Sequence, residues 1–439
     1  MTIIRSKWKI ILFGCSGLGV NMLNIIVGTY LCSGLLVGGF EDHVESWTYL
    51  NKDLVVAALW GTLILVTKII DGIIDVPLSS FSDHIKSRWG RRRPAIMMGF
   101  IPMILSYLLF LVPLEGSATV LNTIWFAVIL GIFYCTYTLT MINYYAAYAE
   151  LLDNDKDRLL LSNTKSICDV VYFSLGFALL PLFVSLNINI RVIALLFLPM
   201  SLTMLIPMFL IKEKSTKEEK YENIAPPASL AKSLSVSLKN KPYIYWLCTH
   251  GMMNIGLQLF LSGINEYFSN TGLNMTFVMA SSFAPIPLTI MLYNYFVKKR
   301  GIRFGVQYVL IMYSIGMTMM YFCRMLPANY MLPCAIGCGI IVSFAIGAFF
   351  SVAYVIPTKL AADANKSTGV CVSTMFFAVE GLFEGVATGI ASGILLVWMK
   401  QTGKISIMTL VVTAFCMVSF VMTFFLPKSI AMIGKERNE

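Results

Sequence analysis

Charged residues are scarce in this 439-residue chain. Only 13% of the residues are Asp, Glu, Lys or Arg, whereas 57% are hydrophobic, and the mean hydropathy is +0.76. Charged residues make up about a quarter of an ordinary soluble chain, and apolar runs of about 20 residues are typical of membrane spans. The composition therefore excludes a soluble globular protein and indicates an all-α integral membrane protein.

Signatures of catalysis and of metal binding are also missing. The chain has three His residues and contains no P-loop, no GxSxG elbow and no HExxH motif. Its ten Cys lie mostly within apolar runs and lack CxxC spacing, so we interpret them as small buried side chains. We therefore expect neither an enzyme nor a cofactor, and no metal site beyond one for a coupling Na⁺.

The net charge of +10 is spread over short loops and is not collected on one polar domain. This distribution argues against nucleic-acid binding. Loops 83–94, 150–165 and 358–368 lie on one side, which carries the basic clusters at 86–93 and 298–303, and they alternate with short or acidic loops, such as 38–53. By the positive-inside rule this side and both termini lie in the cytoplasm. The basic N-terminus lacks a cleavage pattern, so we expect a retained first span in a multi-pass plasma or inner membrane protein.

Apolar runs predict twelve transmembrane helices. Their ranges are about 9–36, 54–82, 95–113, 120–149, 166–186, 191–211, 243–268, 274–298, 305–325, 330–357, 369–398 and 405–427. The polar segment 212–242 is predicted to be a cytoplasmic linker between two six-helix bundles, over 1–211 and 243–439. A weak repeat favours two related halves, since Arg88-Trp89-Gly90-Arg91 and Arg300-Gly301-Ile302-Arg303 each follow the second span of a half.

Ionisable residues interrupt the apolar second span. Lys68, Asp71 and Asp75 recur at i, i+3 and i+7 and so share one face of a helix. Two carboxylates a turn apart cannot both remain ionised in a low dielectric without compensation, so a monovalent cation or a proton is expected there. The alternative is a structural ion pair of Lys68 with Asp71.

This pair of acids and the loop behind it resemble a known family. Twelve spans in two halves, the Asp-x-x-x-Asp pair, and Ser87-Arg88-Trp89-Gly90-Arg91-Arg92-Arg93-Pro94 behind Asp83 are similar to the glycoside–pentoside–hexuronide:cation symporters. These form the melibiose-permease-like branch of the major facilitator superfamily. The resemblance implies the major facilitator fold and sugar entry coupled to Na⁺, Li⁺ or H⁺. It further implies that Asp71, Asp75 and Thr138 bind the coupling cation, and their oxygen atoms suit Na⁺.

The residues at the family's sugar site have changed. Asn21 and Met141 stand where acidic residues are expected on the first and fourth spans, whereas Tyr145 keeps an aromatic side chain. Glu380 and Glu384 stand in the region of a family Lys on the eleventh span, and two buried acids need protons, cations or a cationic substrate. We expect these five residues to contact a substrate at the midplane.

The basic loop predicts a charge latch that would hold one conformation of the bundle. Its candidate members are Lys68, Asp83, Arg88, Arg91, Arg92 and Arg93. The alternative is that the arginines only set the membrane topology. A polar stripe on the seventh span, His250, Asn254 and Gln258, predicts either helix packing or a cavity lining, with His250 at the membrane interface.

Together these patterns predict a secondary active transporter that couples Na⁺ or H⁺ to symport of a sugar or glycoside-like solute by alternating access. The altered sugar site leaves open a carrier of a non-sugar metabolite, a drug or a lysolipid. The alternative from another class is a non-transporting membrane receptor or scaffold. We expect a monomer in the lipid bilayer with a small-molecule substrate.

Overall fold

The structure is a computed structural model that describes residues 6–37, 44–151, 155–213, 215, 229–368 and 373–433. All regular secondary structure in these ranges is helical. The side chain of Lys68 lies outside the described part of the chain. Its predicted roles beside Asp71 and in the charge latch therefore stay predictions.

Twelve long helical segments follow one another in the described ranges. They are α1 (Lys7–Leu35), α2 (Ala57–Asp83), α3 (Arg92–Leu109), α4 (Val120–Leu151), α5 (Asp155–Ser174 and Leu180–Ser185), α6 (Ile190–Leu210), α7 (Lys241–Ser262), α8 (Met275–Phe283 and Ile286–Arg300), α9 (Ile302–Cys323), α10 (Ala328–Thr368), α11 (Ser373–Thr388 and Leu396–Gln401) and α12 (Met408–Thr423). Short helices are Val44–Trp47, Leu230–Lys239, Ile264–Thr271 and Lys428–Ala431. Segments of π-helix occur within α1, α5 and α11, at Ile26–Leu31, Leu175–Leu179 and Gly389–Leu395.

Many of these helices suit a membrane. In the described residues, eight are long and apolar enough to cross one, or nine if the bent α8 is a single span. Large side chains on their outer faces are left uncovered, with Phe209, Leu288 and Met291 exposed by 76%, 72% and 68%. Exposed apolar surface of this kind is typical of contact with lipid and not with water. The chain is a multi-pass membrane protein.

Two of the predicted loops are wrong. The ranges 150–165 and 358–368 are largely helical where they are described, because α5 and α10 run into them. Counting apolar residues ends a span where polar residues begin, whereas the helix continues as long as its backbone hydrogen bonds do. An ion pair between Lys359 and Asp363, 3.2 Å apart and one turn along the helix, stabilises the extension of α10.

The chain packs into two compact units. The N-terminal unit takes Met1–Tyr172, Leu182–Ser237 and Thr358–Gly385, and the C-terminal unit takes Phe173–Pro181, Leu238–Pro357 and Val386–Glu439. In the N-terminal unit α2 and α3 pack along α4, and α1 packs along α6. In the C-terminal unit α7 and α9 pack along α12. Since α5, α10 and α11 each contribute to both units, the predicted boundaries of the halves stay a prediction.

The repeated Arg-Gly turns have related conformations in the two units. Gly90 and Gly301 have positive φ angles of 83° and 89°, which favour glycine. The first backbone N–H of α3 donates to Oε2 of Glu213, behind α6, at 2.8 Å. The first backbone N–H of α9 donates to the carbonyl of Ile433, behind α12, at 3.0 Å. The segment after the sixth helix of each half therefore holds the same turn.

A glycine lets α1 and α6 approach closely in the N-terminal unit. A Cβ on Gly19 would overlap the backbone of Met200 and Ser201. Small residues at such crossings allow two helix backbones to touch.

We predict that Gly19→Ala destabilises the N-terminal unit by about 1–3 kcal/mol, the usual cost of overpacking. The unfolding temperature of the purified protein in detergent measures this loss. Gly61→Ala is the matched control, because no atom lies within 4 Å of a Cβ at Gly61. Both substitutions raise helix propensity by a similar amount, so the difference between the two variants reports the steric overlap alone. Equal unfolding temperatures for the two variants would contradict a tight contact between α1 and α6.

Candidate cation and substrate site

Two acids lie inside α2 of the N-terminal unit. Asp71 and Asp75 are one turn apart on one face of the helix, the first half-buried and the second only 8% exposed. Oδ1 of Asp75 is buried and has no hydrogen-bond partner among the described residues. A carboxylate at this depth requires a cation, a proton or a donor to be stable.

A hydroxyl on α4 faces these acids. The Thr138 hydroxyl donates to Oδ1 of Asp71 at 3.2 Å, and it also approaches the carboxylate of Asp75. The packing of α2 along α4 places the three side chains together. The structure thus groups the three residues that were predicted as a cation site, and their role as ligands stays a prediction.

The glycine-rich face of α11 lies against the acids. A Cβ at Gly381 would overlap Oδ2 of Asp75, and a Cβ at Gly72 on α2 would lie 3.4 Å from the backbone of Gly385. This close approach brings Glu384 within electrostatic range of Asp75. Glu384, predicted to contact substrate, therefore lies beside the predicted cation site.

Tyr137 connects the acids to α1. Its hydroxyl donates to Oδ1 of Asn21 at 2.8 Å, and Asn21 is only 5% exposed. The Tyr137 side chain is also within electrostatic range of Asp71, Asp169 and Glu384. Tyr137 was not predicted as a site residue. Its position next to the predicted cation-site threonine was the available signal.

A buried ion pair on α5 forms a second group. Nζ of Lys165 lies 2.6 Å from Oδ2 of Asp169, and the two side chains are 5% and 2% exposed. The same Nζ lies 5.2 Å from the centroid of the Tyr145 ring, a cation–π contact. Sequence analysis missed the pair because it placed Lys165 in a loop. Opposite charges four residues apart at the start of an apolar run would have indicated it.

The other predicted substrate residues are near these two groups. Tyr145 is half-buried and lies seven residues from Thr138, about 10 Å along α4. Met141, between them in sequence, is 3% exposed and packs towards Gly17 of α1. Glu380 on α11 is 5% exposed. Asn21 and Met141 therefore lie in the contact between α1 and α4.

The predicted charge latch contains a buried ion pair. Nη1 of Arg92 lies 2.8 Å from Oδ1 of Asp83, and the side chains are 1% and 11% exposed. The same guanidinium donates to Oδ1 of Asn143 on α4 at 3.1 Å. Arg93 donates to the backbone carbonyl of Met208 near the end of α6. These contacts fix the turn between α2 and α3 to two other helices.

The other two arginines of the loop, Arg88 and Arg91, have different surroundings from Arg92 and Arg93. The guanidinium of Arg88 stacks 4.8 Å from the centroid of the Trp89 ring. Arg91 directly precedes α3. The sequence predicted a shared role for all members of the latch, whereas the structure gives Arg92 the buried position.

The polar stripe on α7 belongs to the C-terminal unit. His250 is 2% exposed and stacks on Trp246 with 4.9 Å between the ring centroids. Nδ2 of Asn254 lies 3.3 Å from Nε2 of His250. His250 is thus buried within the protein, and its predicted position near the membrane interface stays a prediction.

Helices suited to a bilayer, with acids and an ion pair buried between them, define a membrane transporter of the major facilitator type. The family model described as MFS/sugar transport protein matches residues 12–403. The chain belongs to this family, and the predicted family resemblance is confirmed. Since the family transports solutes, the expectation that the chain is not an enzyme is also confirmed, and a non-transporting receptor becomes the weaker alternative.

Two curated relatives match parts of the chain. An uncharacterized symporter of Synechocystis sp. is 33% identical over 131 residues, which are 29% of this chain and 23% of the relative. A glucuronide carrier protein homolog of Escherichia coli is 27% identical over 195 residues, which are 44% of this chain and 42% of the relative. The matches therefore span less than half the length of either relative.

A solved structure shows the same fold. The nucleoside transporter NupG superposes with a TM-score of 0.53 over 93% of this chain and 100% of that chain, at 14% sequence identity. The likeness supports the fold and does not bear on the substrate.

We predict that Arg92→Met strongly destabilises the protein, because it removes the buried guanidinium that lies 2.8 Å from the Asp83 carboxylate. Removing one partner of a buried ion pair costs about 3–5 kcal/mol, measured as a lower unfolding temperature in detergent. Lys359→Met is the control, since it breaks a pair whose side chains are 55% and 53% exposed. Exposed pairs contribute about 0–1 kcal/mol.

The double variant Arg92→Met with Asp83→Asn is expected to recover part of this loss, because it removes the unpaired charge. Equal losses for the Arg92 and Lys359 variants would contradict a structural role of the buried pair.

Proposed function

We propose that this protein couples the movement of Na⁺ or H⁺ to symport of a sugar or glycoside-like solute by alternating access. The observation that carries the proposal is the pair of acids on α2, half-buried Asp71 and buried Asp75, with the Thr138 hydroxyl on the Asp71 carboxylate. Membership of the MFS/sugar transport family supports it.

The negative charge of the acids on α2 and α11 is the reason for proposing Na⁺ or H⁺ as the coupling ion. Asp71 and Glu384 both lie within electrostatic range of Asp75, so the three acids could bear three negative charges in one region. Such an excess is costly inside a bilayer, so a bound cation or a proton must compensate part of it. Carboxylate and hydroxyl oxygens suit Na⁺, and the same carboxylates can take a proton.

The proposed topology has twelve spans with both termini in the cytoplasm. Eight helices and the bent α8 meet the length and hydropathy of a span, and α2, α3 and α7 would complete the twelve. Two arginines at the start of α3 lower its hydropathy. The basic loops support the orientation.

We predict that Asp71→Asn and Asp75→Asn abolish the stimulation of transport by the coupling ion, because each removes a charge that the ion neutralises. Thr138→Val should weaken apparent cation affinity about tenfold, the effect of losing one contact of about 1.4 kcal/mol. Substrate counterflow into proteoliposomes, measured over a range of Na⁺ concentrations at two pH values, separates Na⁺ from H⁺ coupling.

Thr136→Val is the matched control for Thr138→Val. Its hydroxyl donates to the carbonyl of Ile132 on its own helix at 2.6 Å, so its loss should leave the cation dependence unchanged. Cation-stimulated counterflow that persists unaltered in both aspartate variants would sink the coupling assignment.

The ion pair on α5 supports a solute that bears a carboxylate, such as a hexuronide. The ammonium group of Lys165 has three donors, so it can bind a substrate carboxylate while it still holds Asp169. The adjacent Tyr145 ring offers a surface for the C–H face of a sugar ring. The name of the Escherichia coli relative, a glucuronide carrier homolog, points in the same direction.

A second candidate is a cationic, non-sugar metabolite or drug. The acids Glu380 and Glu384 on α11 favour it, because they are the expected partners of a positively charged solute. If the protein transports a cationic solute, Glu380 and Glu384 would bind that solute and not take part in ion coupling.

We predict that Lys165→Gln weakens binding of a hexuronide by about tenfold or more, because a charge-assisted hydrogen bond contributes about 1.5–3 kcal/mol. The matching neutral hexoside should lose much less. Competition by each sugar in counterflow measures the two affinities. The double variant with Asp169→Asn controls for the acid that would otherwise remain buried without its cation. Equal losses for both sugars would argue against carboxylate recognition.

A further inference from the structure

Three cysteine thiols meet in the C-terminal unit, apart from the proposed coupling site. Sγ of Cys323, the last residue of α9, lies 2.8 Å from Sγ of Cys334 and 3.4 Å from Sγ of Cys338 on α10. All three sulfur atoms lie within 4.8 Å of one another. Sequence spacing did not predict this group, because its members come from two helices.

The packing of α9 against α10 holds the thiols in place. Only residues 324–327 separate the two helices, and Cys334 and Cys338 are one turn apart on α10. A Cβ at Gly316 on α9 would lie 3.3 Å from the carbonyl of Cys338, so the two backbones are close. The three sulfur atoms are therefore brought together by the helices themselves.

The surroundings of the thiols suit an ion that enters from one side. Cys323 and Cys338 are 1% and 0% exposed, whereas Cys334 is half-buried. Arg324 follows Cys323 directly, and its guanidinium stacks 4.3 Å from the centroid of the Tyr321 ring. Metals bind the thiolate form of cysteine, so an ion that binds here displaces the thiol protons.

The donor atoms agree with a soft metal ion. Zinc–sulfur bonds are about 2.3 Å long, so three sulfur atoms around one ion lie about 4 Å apart. Two of the separations here, 2.8 Å and 3.4 Å, are shorter, and rotations of the side chains would open the space for the ion. Thiolates select soft ions such as Zn²⁺ and Cu⁺.

We propose that Cys323, Cys334 and Cys338 form a binding site for one thiophilic d¹⁰ cation of the Zn²⁺ type. The ion would cross-link the end of α9 to α10, and its fourth position would face the half-buried side at Cys334. The site is independent of the acids in the N-terminal unit.

Titration of the reduced, full-length protein in detergent with Cd²⁺ tests the proposal. All proteins carry Cys168→Ser, because Cys15 and Cys168 form another thiol pair with 3.3 Å between their sulfur atoms. We expect one equivalent of Cd²⁺ to bind, with a thiolate-to-metal charge-transfer absorption and a higher unfolding temperature. Cys323→Ser and Cys338→Ser should lose this absorption. Cys248→Ser, which removes an exposed thiol of α7, should keep it.

Separate titrations with Zn²⁺ and Cu⁺ against a competing chelator distinguish the two ions, and binding of Cu⁺ without any binding of Zn²⁺ would overturn the Zn²⁺ assignment. Alkylation of the protein without these serine changes, read by mass spectrometry, gives a test that needs no cluster variant. Bound Cd²⁺ should protect Cys323, Cys334 and Cys338 together. Absence of one-equivalent binding, equal binding in all variants, or a Cys323–Cys334 disulfide that persists under reduction would overturn the proposal.

Discussion

Two carboxylates inside a membrane helix have to be neutralised, and this requirement organises the N-terminal unit. Two neighbouring helices contact the acids. The Thr138 hydroxyl on α4 donates to Asp71, and the Gly381 backbone on α11 lies close to the Asp75 carboxylate. A larger side chain at Gly381 would separate α11 from the acid. Low dielectric makes each of these contacts stronger than it would be in water, and it makes a missing partner equally costly.

The two ion pairs of this unit also neutralise buried charges, but each does so within the pair. Lys165 with Asp169, and Arg92 with Asp83, are each neutral as a pair, so they can remain buried without an external ion. The acids on α2 are different, because the described residues around them add a further acid and a neutral hydroxyl. This contrast separates ion pairs that are neutral by themselves from acids that can respond to a change in ion concentration.

Much of this arrangement could be predicted from the sequence, because short-range spacing specifies it. Asp71 and Asp75 are four residues apart on an evident helix, so their common face needed no tertiary information. Lys165 was missed because hydropathy alone marks a span too short when its first turn is polar. The burial of Arg92 and the meeting of Cys323 with Cys334 depend on which helices pack together, and one sequence does not contain that pairing. The close contacts of Gly19 and Gly381 depend in the same way on which helix packs against each glycine.

The division of α11 between the two units has a mechanical consequence. Its first part, which touches Asp75, packs with the N-terminal unit up to Gly385, and the rest packs with the C-terminal unit. The π-helical stretch Gly389–Leu395 lies just beyond this division, and irregular turns of this kind are frequent where helices bend. α11 can therefore bend just beyond the part that touches Asp75, and that part keeps its own packing in the N-terminal unit.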